Sequence, residues 1–378
     1  MSKQRVTGAD RVSELRGRTG EMVEALRAIV EAESPSSDVE ANRRCAEVVD
    51  ELAKELLDLP AERIESEGRV HLRWRFGSPS KVVLIGHIDT VWPVGTLLDW
   101  PFGVSDGHAT GPGIFDMKAG VVQLLYALAL LDELGGVAVV LTTDEELGSQ
   151  TSEGLIEETV SEARAALVLE PSANGALKTE RKGASRYRIR IKGRAAHAGL
   201  DPERGANAGV ELAQQILAID ALGREDHLTT VTPTLASAGT SGNTVPGSAQ
   251  VEVDVRALSS DELDRVDREL HGLEPTVEGT SLDVQLLGRA PPMPRTASKD
   301  LFALARRTAD ELGIGPLKEA SVGGGSDGNF IASLGVPVLD GLGAVGGGAH
   351  ARTEHVVVSA MPERAALVAA LVAELTNA

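Results

Sequence analysis

Val139-Val140-Leu141-Thr142-Thr143-Asp144-Glu145-Glu146-Leu147-Gly148-Ser149 runs from an apolar, β-branched stretch directly into three consecutive acids. The first half has the composition of a buried strand. The second half repels itself unless a cation neutralises it or water solvates it fully. Two other runs share this form. Lys81-Val82-Val83-Leu84-Ile85 ends in Gly86-His87-Ile88-Asp89-Thr90, and Ala166-Leu167-Val168-Leu169 ends in Glu170-Pro171. Three apolar strands that each deliver an acid or a histidine at the C-terminal end point to one metal-binding crevice.

The surrounding pattern predicts an α/β fold. Met22, Val23, Leu26, Ile29 and Val30 fall at helical spacing, as do Cys45, Val48, Val49, Leu52 and Leu56. Residues 117–134 read as a helix stopped by Gly135-Gly136. Val70, Leu72, Trp74 and Phe76 alternate with polar residues, the pattern of a half-buried strand. Strands separated by helices imply a largely parallel sheet.

The character changes near Gly183. Tyr187, Ile189 and Ile191 alternate with Arg186, Arg188 and Arg190, which reads as an edge-like strand with a basic, solvent-facing side. A helix over 207–222, a strand over 250–256, a helix capped by Ser259 and a strand over 282–287 complete a β-α-β-β-α-β unit. Pro291-Pro292-Met293-Pro294 reads as a linker, after which a helix over 301–312, a strand over 336–339 and a helix over 364–375 resume the first pattern. The expected division is a catalytic domain in two parts, 1–182 and 294–378, with an inserted domain over 183–293.

Composition narrows the function. At 378 residues the chain exceeds one ordinary core. A formal net charge of -19 repels nucleic acid and anionic membrane, and 3% aromatic content argues against base-stacking platforms. The single cysteine, Cys45, excludes an internal disulfide and fits a reducing compartment. The first residues form no apolar leader and no run is long enough to span a bilayer, so the cytoplasm is the expected location.

The donors available are histidine and carboxylate without thiolate, a set suited to zinc, cobalt or manganese in a catalytic setting. Asp89, two residues after His87, is placed to accept that ring's other N–H. Asp116 lies in the turn-rich Gly111-Pro112-Gly113-Ile114-Phe115-Asp116-Met117-Lys118 before a helix. Glu145 and Glu146 are adjacent, so in an extended segment one binds metal while the other faces substrate. Glu170 adds an oxygen ligand, and Gly346-Gly347-Gly348-Ala349-His350 presents His350 on a flexible loop, with His355 as its rival. Taken singly, each has an ordinary explanation: a solvated acidic turn, a core histidine, a helix N-cap, a loop residue. His71, His108, His227 and His271 sit in surface-like contexts.

Taken together, these segments resemble the M20 family of co-catalytic zinc aminoacylases and carboxypeptidases, in particular the branch containing glutamate carboxypeptidase. The matching segments include Gly86-His87-Ile88-Asp89-Thr90, Asp144-Glu145-Glu146-Leu147-Gly148-Ser149, Ala196-His197-Ala198-Gly199, Asp254-Val255-Arg256, Gly323-Gly324-Gly325-Ser326-Asp327 and His350, in the family's order over nearly the whole chain. The resemblance implies a zinc-exopeptidase-like mixed-sheet catalytic domain with an inserted ferredoxin-like α+β lid and dimerisation domain. It implies two Zn2+ ions, with Co2+ or Mn2+ as substitutes. One is held by His87 and Glu170, the other by Glu146 and His350, and Asp116 bridges them. Glu145 is then the general base, and the peptide after Asp116 is expected to be cis.

His197 is the oxyanion-stabilising candidate, reaching a partner subunit's site in relatives. Asn243 and Arg256 are carboxylate-recognition candidates, and Arg256 has a structural salt bridge as its alternative role. Gly325 and Ser326 lie in a glycine run that lacks the lysine and spacing of a P-loop but suits a carboxylate. Arg289 and Lys178 are further basic candidates. The expected function is hydrolysis of an N-acyl amino acid or small peptide with a free carboxylate, by a homodimer paired through the lid. The alternative is an N-acyl-amino-acid deacylase such as acetylornithine deacetylase or succinyl-diaminopimelate desuccinylase. A third reading is a non-catalytic carboxylate-binding protein on the same fold.

Overall fold

The computed structural model describes residues 8–377. They form two units. The first contains the residues up to Glu180, Arg295–Val322 and those from Ser326 onward; the second contains Arg181–Pro294 and Gly323–Gly325.

The first unit is built on a six-stranded sheet, in the order Glu62–Ser66, Arg69–Phe76, Val137–Thr142, Val82–His87, Ala165–Val168 and Val338–Leu339. The last four strands are mutually parallel, whereas Arg69–Phe76 runs antiparallel to both of its neighbours. The sheet is therefore mixed. Register decides where the chemistry falls. His87 pairs with Thr142, and Ile85 pairs with Val168. The segments carrying Asp89, Glu145, Glu146 and Glu170 thus leave the sheet at the same end.

The core lies between this sheet and the helices Thr19–Glu31, Val39–Leu57, Ala119–Ala129 and Met361–Asn377, with Leu26, Leu84, Leu124, Leu141 and Leu367 fully buried. Strands Val82–His87 and Val137–Thr142 are buried at every residue, which accounts for their unbroken apolar sequence. The alternation over residues 70–76 predicts a half-buried strand, but two of its polar positions, His71 and Arg73, are buried and only Arg75 is exposed. Arg73 pairs with Glu62 and Glu158, while His71 meets the Thr143 N–H and the Thr151 hydroxyl. The helix predicted over 117–134 ends at Ala129, short of the glycine pair.

Two glycines let the site close. Gly113 has φ of 69°, and a Cβ there would collide with the Thr90 side chain. A Cβ on Gly120 would collide with the Leu169 carbonyl, so only glycine allows this helix so near the segment carrying Glu170. The turn Ile114–Lys118 before the helix is distorted, and the Asp116–Met117 peptide is cis.

The second unit has a four-stranded antiparallel sheet in the order Thr230–Ala238, Ser248–Ala257, Gly183–Lys192, Ser281–Ala290. Helices Ala208–Asp220 and Ser260–His271 cover one face, capped by the side chains of Asn207 and Ser259. Tyr187, Ile189, Val251, Val253, Leu263 and Val266 form its core. The strand Gly183–Lys192 is interior, not an edge. Its basic row is offset by acids on both neighbours, with Arg188 opposite Glu252 and Arg190 opposite Asp283. Alternation reports which face is wet, not how many neighbours a strand has.

Candidate metal centre

His87 closes its strand with the ring almost wholly buried. Its Nδ1 lies 3.0 Å from the backbone carbonyl of Asp89. A carbonyl only accepts, so Nδ1 carries the proton and Nε2 is the coordinating atom. That Nε2 faces Asp116 Oδ1 at 3.3 Å and Glu170 Oε1 at 3.5 Å. The Asp89 carboxylate, expected from the sequence to accept the ring's N–H, lies at 3.5 Å, so the backbone carbonyl is the nearer partner. The carboxylate instead accepts from the Ser36 hydroxyl at 2.7 Å and from the backbone N–H groups of Glu145 and Glu146 at 3.3 Å each. Asp89 therefore fixes the acidic turn.

That turn is a single 3₁₀ turn, Glu145–Leu147, and not an extended segment. Glu145 and Glu146 still diverge, because neighbours on so tight a turn project about a third of a revolution apart. Asp144 points inward and accepts from Thr151 and Ser152, so it is a clamp for the turn. Glu146 Oε1 meets His350 Nε2 at 3.1 Å, and the same nitrogen lies 3.5 Å from Asp116 Oδ2.

Two triads result, His87–Asp116–Glu170 and Asp116–Glu146–His350, each with donor atoms within 4.8 Å of one another. Asp116 belongs to both and turns one oxygen to each histidine. Carboxylate oxygen with imidazole nitrogen is a donor set that fits zinc and related divalent ions. The site also carries an excess of negative charge that cations would offset. Four carboxylates, Asp116, Glu145, Glu146 and Glu170, gather here, and Lys178 Nζ, 3.5 Å from Glu170 Oε2, adds one positive charge.

The protons held by the site report the same excess. Burial lowers the His87 pKa, but hydrogen bonds to Asp116, Asp89 and Glu170 outweigh it and hold the ring well above its usual value. The hydrogen bond to Glu146, against partial burial, pushes His350 up to about 9. Removal from water raises Glu145 well above the ordinary carboxylate range; His87 opposes the rise, and Glu170, Asp327 and Asp116 add to it. Glu145 is outside both triads, and nothing in their geometry assigns it to either.

His355, the rival of His350, points elsewhere: its Nδ1 meets the Thr353 carbonyl and its ring packs edge-on to His108. His71 is fully buried, not surface-like, and burial lowers its pKa. His108, His227 and His271 belong to neither triad.

The remaining candidates divide between the units. His197, Asn243, Arg256 and Gly325 lie in the second. The His197 Nδ1 accepts the N–H groups of Gly199 and Leu200 at 3.2 and 3.1 Å, which places its proton on the exposed Nε2. Asn243 is exposed and accepts from the Ser241 hydroxyl. Asp254 grips Arg256 through two nitrogens at 2.9 and 3.1 Å. The carbonyl of Gly325 accepts from the buried Arg181. Arg289 bonds Asp264. In the first unit, Ser326 caps the helix Asp327–Ser333 and donates to Asp340 at 2.6 Å.

Two residues near the triads, Ser36 and Glu354, are unmarked in the sequence, and a third, Asp327, is marked there only as the end of the glycine run. Ser36 and Glu354 hold the segments of Asp89 and Asp116 through contacts 53 and 238 positions away in sequence, which no local pattern reveals. Asp327 receives the Ser149 hydroxyl at 2.5 Å. Burial, opposed by that bond, raises its pKa to about 7.

The sequence profile of peptidase family M20/M25/M40 matches residues 83–374. Carboxypeptidase G2 from Pseudomonas sp. (strain RS-16) is 33% identical over 305 residues, covering 78% of this chain and 74% of that protein. Succinyl-diaminopimelate desuccinylase from Xanthomonas campestris pv. campestris is 30% identical over 320 residues, covering 78% and 83%. The crystal structure of aminopeptidase PepT from Bacillus cereus superposes with a TM-score of 0.77 at 21% identity, covering 96% of this chain and 99% of that one, a likeness of fold. The chain belongs to peptidase family M20/M25/M40 and is a metal-dependent amide hydrolase.

Proposed function

We propose that the chain is a two-zinc amidohydrolase that cleaves an N-acyl amino acid or small peptide bearing a free carboxylate. The observation that carries this reading is the Asp116 carboxylate, shared between the two triads with one oxygen toward each histidine. His87 and Glu170 would hold one ion, Glu146 and His350 the other, and Asp116 both. Ions held there would supply Lewis acidity to the amide carbonyl and acidify a water. Cobalt or manganese would serve the same donors.

Glu145 is the general base. It stands outside both triads and so would be free to accept a proton from the attacking water and return it to the departing amine, and removal from water raises its pKa, the direction such a group needs. Asp89 positions it by holding the turn. We assign His197, through its Nε2–H, to oxyanion stabilisation, and Asn243, Arg256, Gly325 and Ser326 to the substrate carboxylate. Arg256 is paired with Asp254, the salt bridge expected as its alternative role, so binding a substrate carboxylate would require it to share or exchange that partner.

The boundaries we propose are a catalytic domain of residues 1–182 and 294–378 and a lid and dimerisation domain of 183–293. Its sheet has two edges, and Leu217 and Leu235, 73% and 65% exposed, give a homodimer interface apolar surface to bury. Among the described residues no helix is long and apolar enough to cross a membrane, and Cys45 is buried and unpaired. Both accord with a cytoplasmic enzyme. Nucleic acid and membrane are not its partners on this reading, because the net charge of -19 repels both.

A deacylase is the second reading, favoured by the desuccinylase relative. Turnover by zinc-loaded protein on N-acylglutamates, N-acetyl and N-succinyl amino acids and dipeptides tests both. Preference for removing a small acyl group selects the deacylase, and failure to hydrolyse any of them overturns the proposal.

A further inference from the structure

We propose that Glu354 is a positioning residue that ties the two halves of the metal centre together, so that its carboxylate sets how tightly the second ion is held. This inference deepens the two-metal reading and rests on it. Glu354 is fully buried. Its Oε1 accepts the backbone N–H groups of Phe115 at 2.8 Å and Asp116 at 3.0 Å. Its Oε2 accepts those of Gly113 at 3.1 Å and the Trp92 indole at 3.0 Å.

One side chain therefore holds three amides of the glycine-rich approach to Asp116, those of Gly113, Phe115 and Asp116, and anchors the segment that follows Asp89. Its own backbone completes the picture. The Glu354 N–H closes onto Ala351, Ala351 closes onto Gly348, and Gly346–Gly347 pairs with His355–Val357. The loop that carries His350 thus ends on the residue that grips Asp116.

All four donors are neutral N–H groups. A buried carboxylate is costly when its donors carry no charge, and divalent ions beyond Asp116 would offset that cost. Glutamine at this position keeps the bulk but turns an NH₂ group toward N–H donors. It weakens the tie between the Asp116 loop and the His350 loop, since only one oxygen remains to accept, without opening a cavity. Partners that orient ligands from behind typically carry about 10–100-fold in metal affinity. Because Glu354 acts on Asp116 and the His350 loop together, the ion at Asp116–Glu146–His350 should suffer more than the ion at His87.

The test is stepwise zinc titration against a chelator for the wild type, Glu354→Gln and Glu354→Asp, with melting of the metal-free proteins alongside. The expected result is two bound equivalents in the wild type. The second equivalent should weaken about 10–100-fold in Glu354→Gln, the first less, and Glu354→Asp should lie between the two proteins. A uniform loss at both sites that tracks a lower melting temperature would show a merely structural role and overturn the proposal. Equal affinities in all three would also overturn it. If Glu354→Gln does not fold, Trp92→Phe, which removes one donor, should still weaken the second equivalent, and an unchanged value would refute the proposal. A wild type that takes up no zinc pair would instead refute the two-metal reading, and this inference with it.

Discussion

Glu146 and His350 are separated by 204 positions in sequence and meet at 3.1 Å between Oε1 and Nε2. The contact joins the turn that ends a central strand to a glycine-supported loop near the C-terminus. It defines the half of the centre that does not touch His87. Replacing His350 by alanine should therefore remove one zinc ion and leave the other on His87, Asp116 and Glu170. Elemental analysis of the dialysed variant should give about one ion per chain; two would mean that His350 is no ligand.

Glu145 makes a separate prediction, since it lies outside both triads. Glu145→Gln should retain the metal content of the wild type while turnover falls about 10²–10⁴-fold. Unchanged turnover would remove this residue from the chemistry.

The acid and histidine shifts give the metal-free chain a definite pH dependence. Asp327 is raised from 3.8 to about 7 and His350 from 6.5 to about 9. Both groups bind protons more tightly folded than unfolded, so their stabilisation is complete below the unfolded pKa values and is lost as pH rises through the folded ones. The melting temperature of the metal-free protein should thus fall between pH 5 and pH 9. Zinc must displace the proton on His350, so apparent zinc affinity should rise over the same range. A metal-free protein that gains stability toward pH 9 would contradict these assignments.

Much of this was legible from residues 81–90, 139–149 and 166–171, because a buried parallel strand must be apolar along its length and then place its acids at one end. Register supplied what composition lacked: His87 lies opposite Thr142 and close to the acidic turn. Local patterns failed where a residue's role is set by distant backbone. Glu354 reads as one acid in a polar loop, yet its partners are the amides of Gly113, Phe115 and Asp116 and the Trp92 indole. His71 reads as a surface residue and is sealed by Thr143 and Thr151. The strand Gly183–Lys192 showed its wet face but not its second neighbour.

Leu217 and Leu235 test the proposed homodimer. Leu217→Asp combined with Leu235→Asp should halve the solution mass measured by light scattering, because a charge on each exposed apolar position opposes burial in an interface. A mass unchanged from the wild type would place the interface elsewhere or show that the protein is a monomer.

The most direct test of the centre is the zinc content of the wild type against Asp116→Ala. A carboxylate shared by both triads predicts two ions per chain in the wild type and loss of both at moderate zinc concentration in the variant. A variant that keeps both ions, or a wild type that never binds more than one, would contradict a centre joined through Asp116.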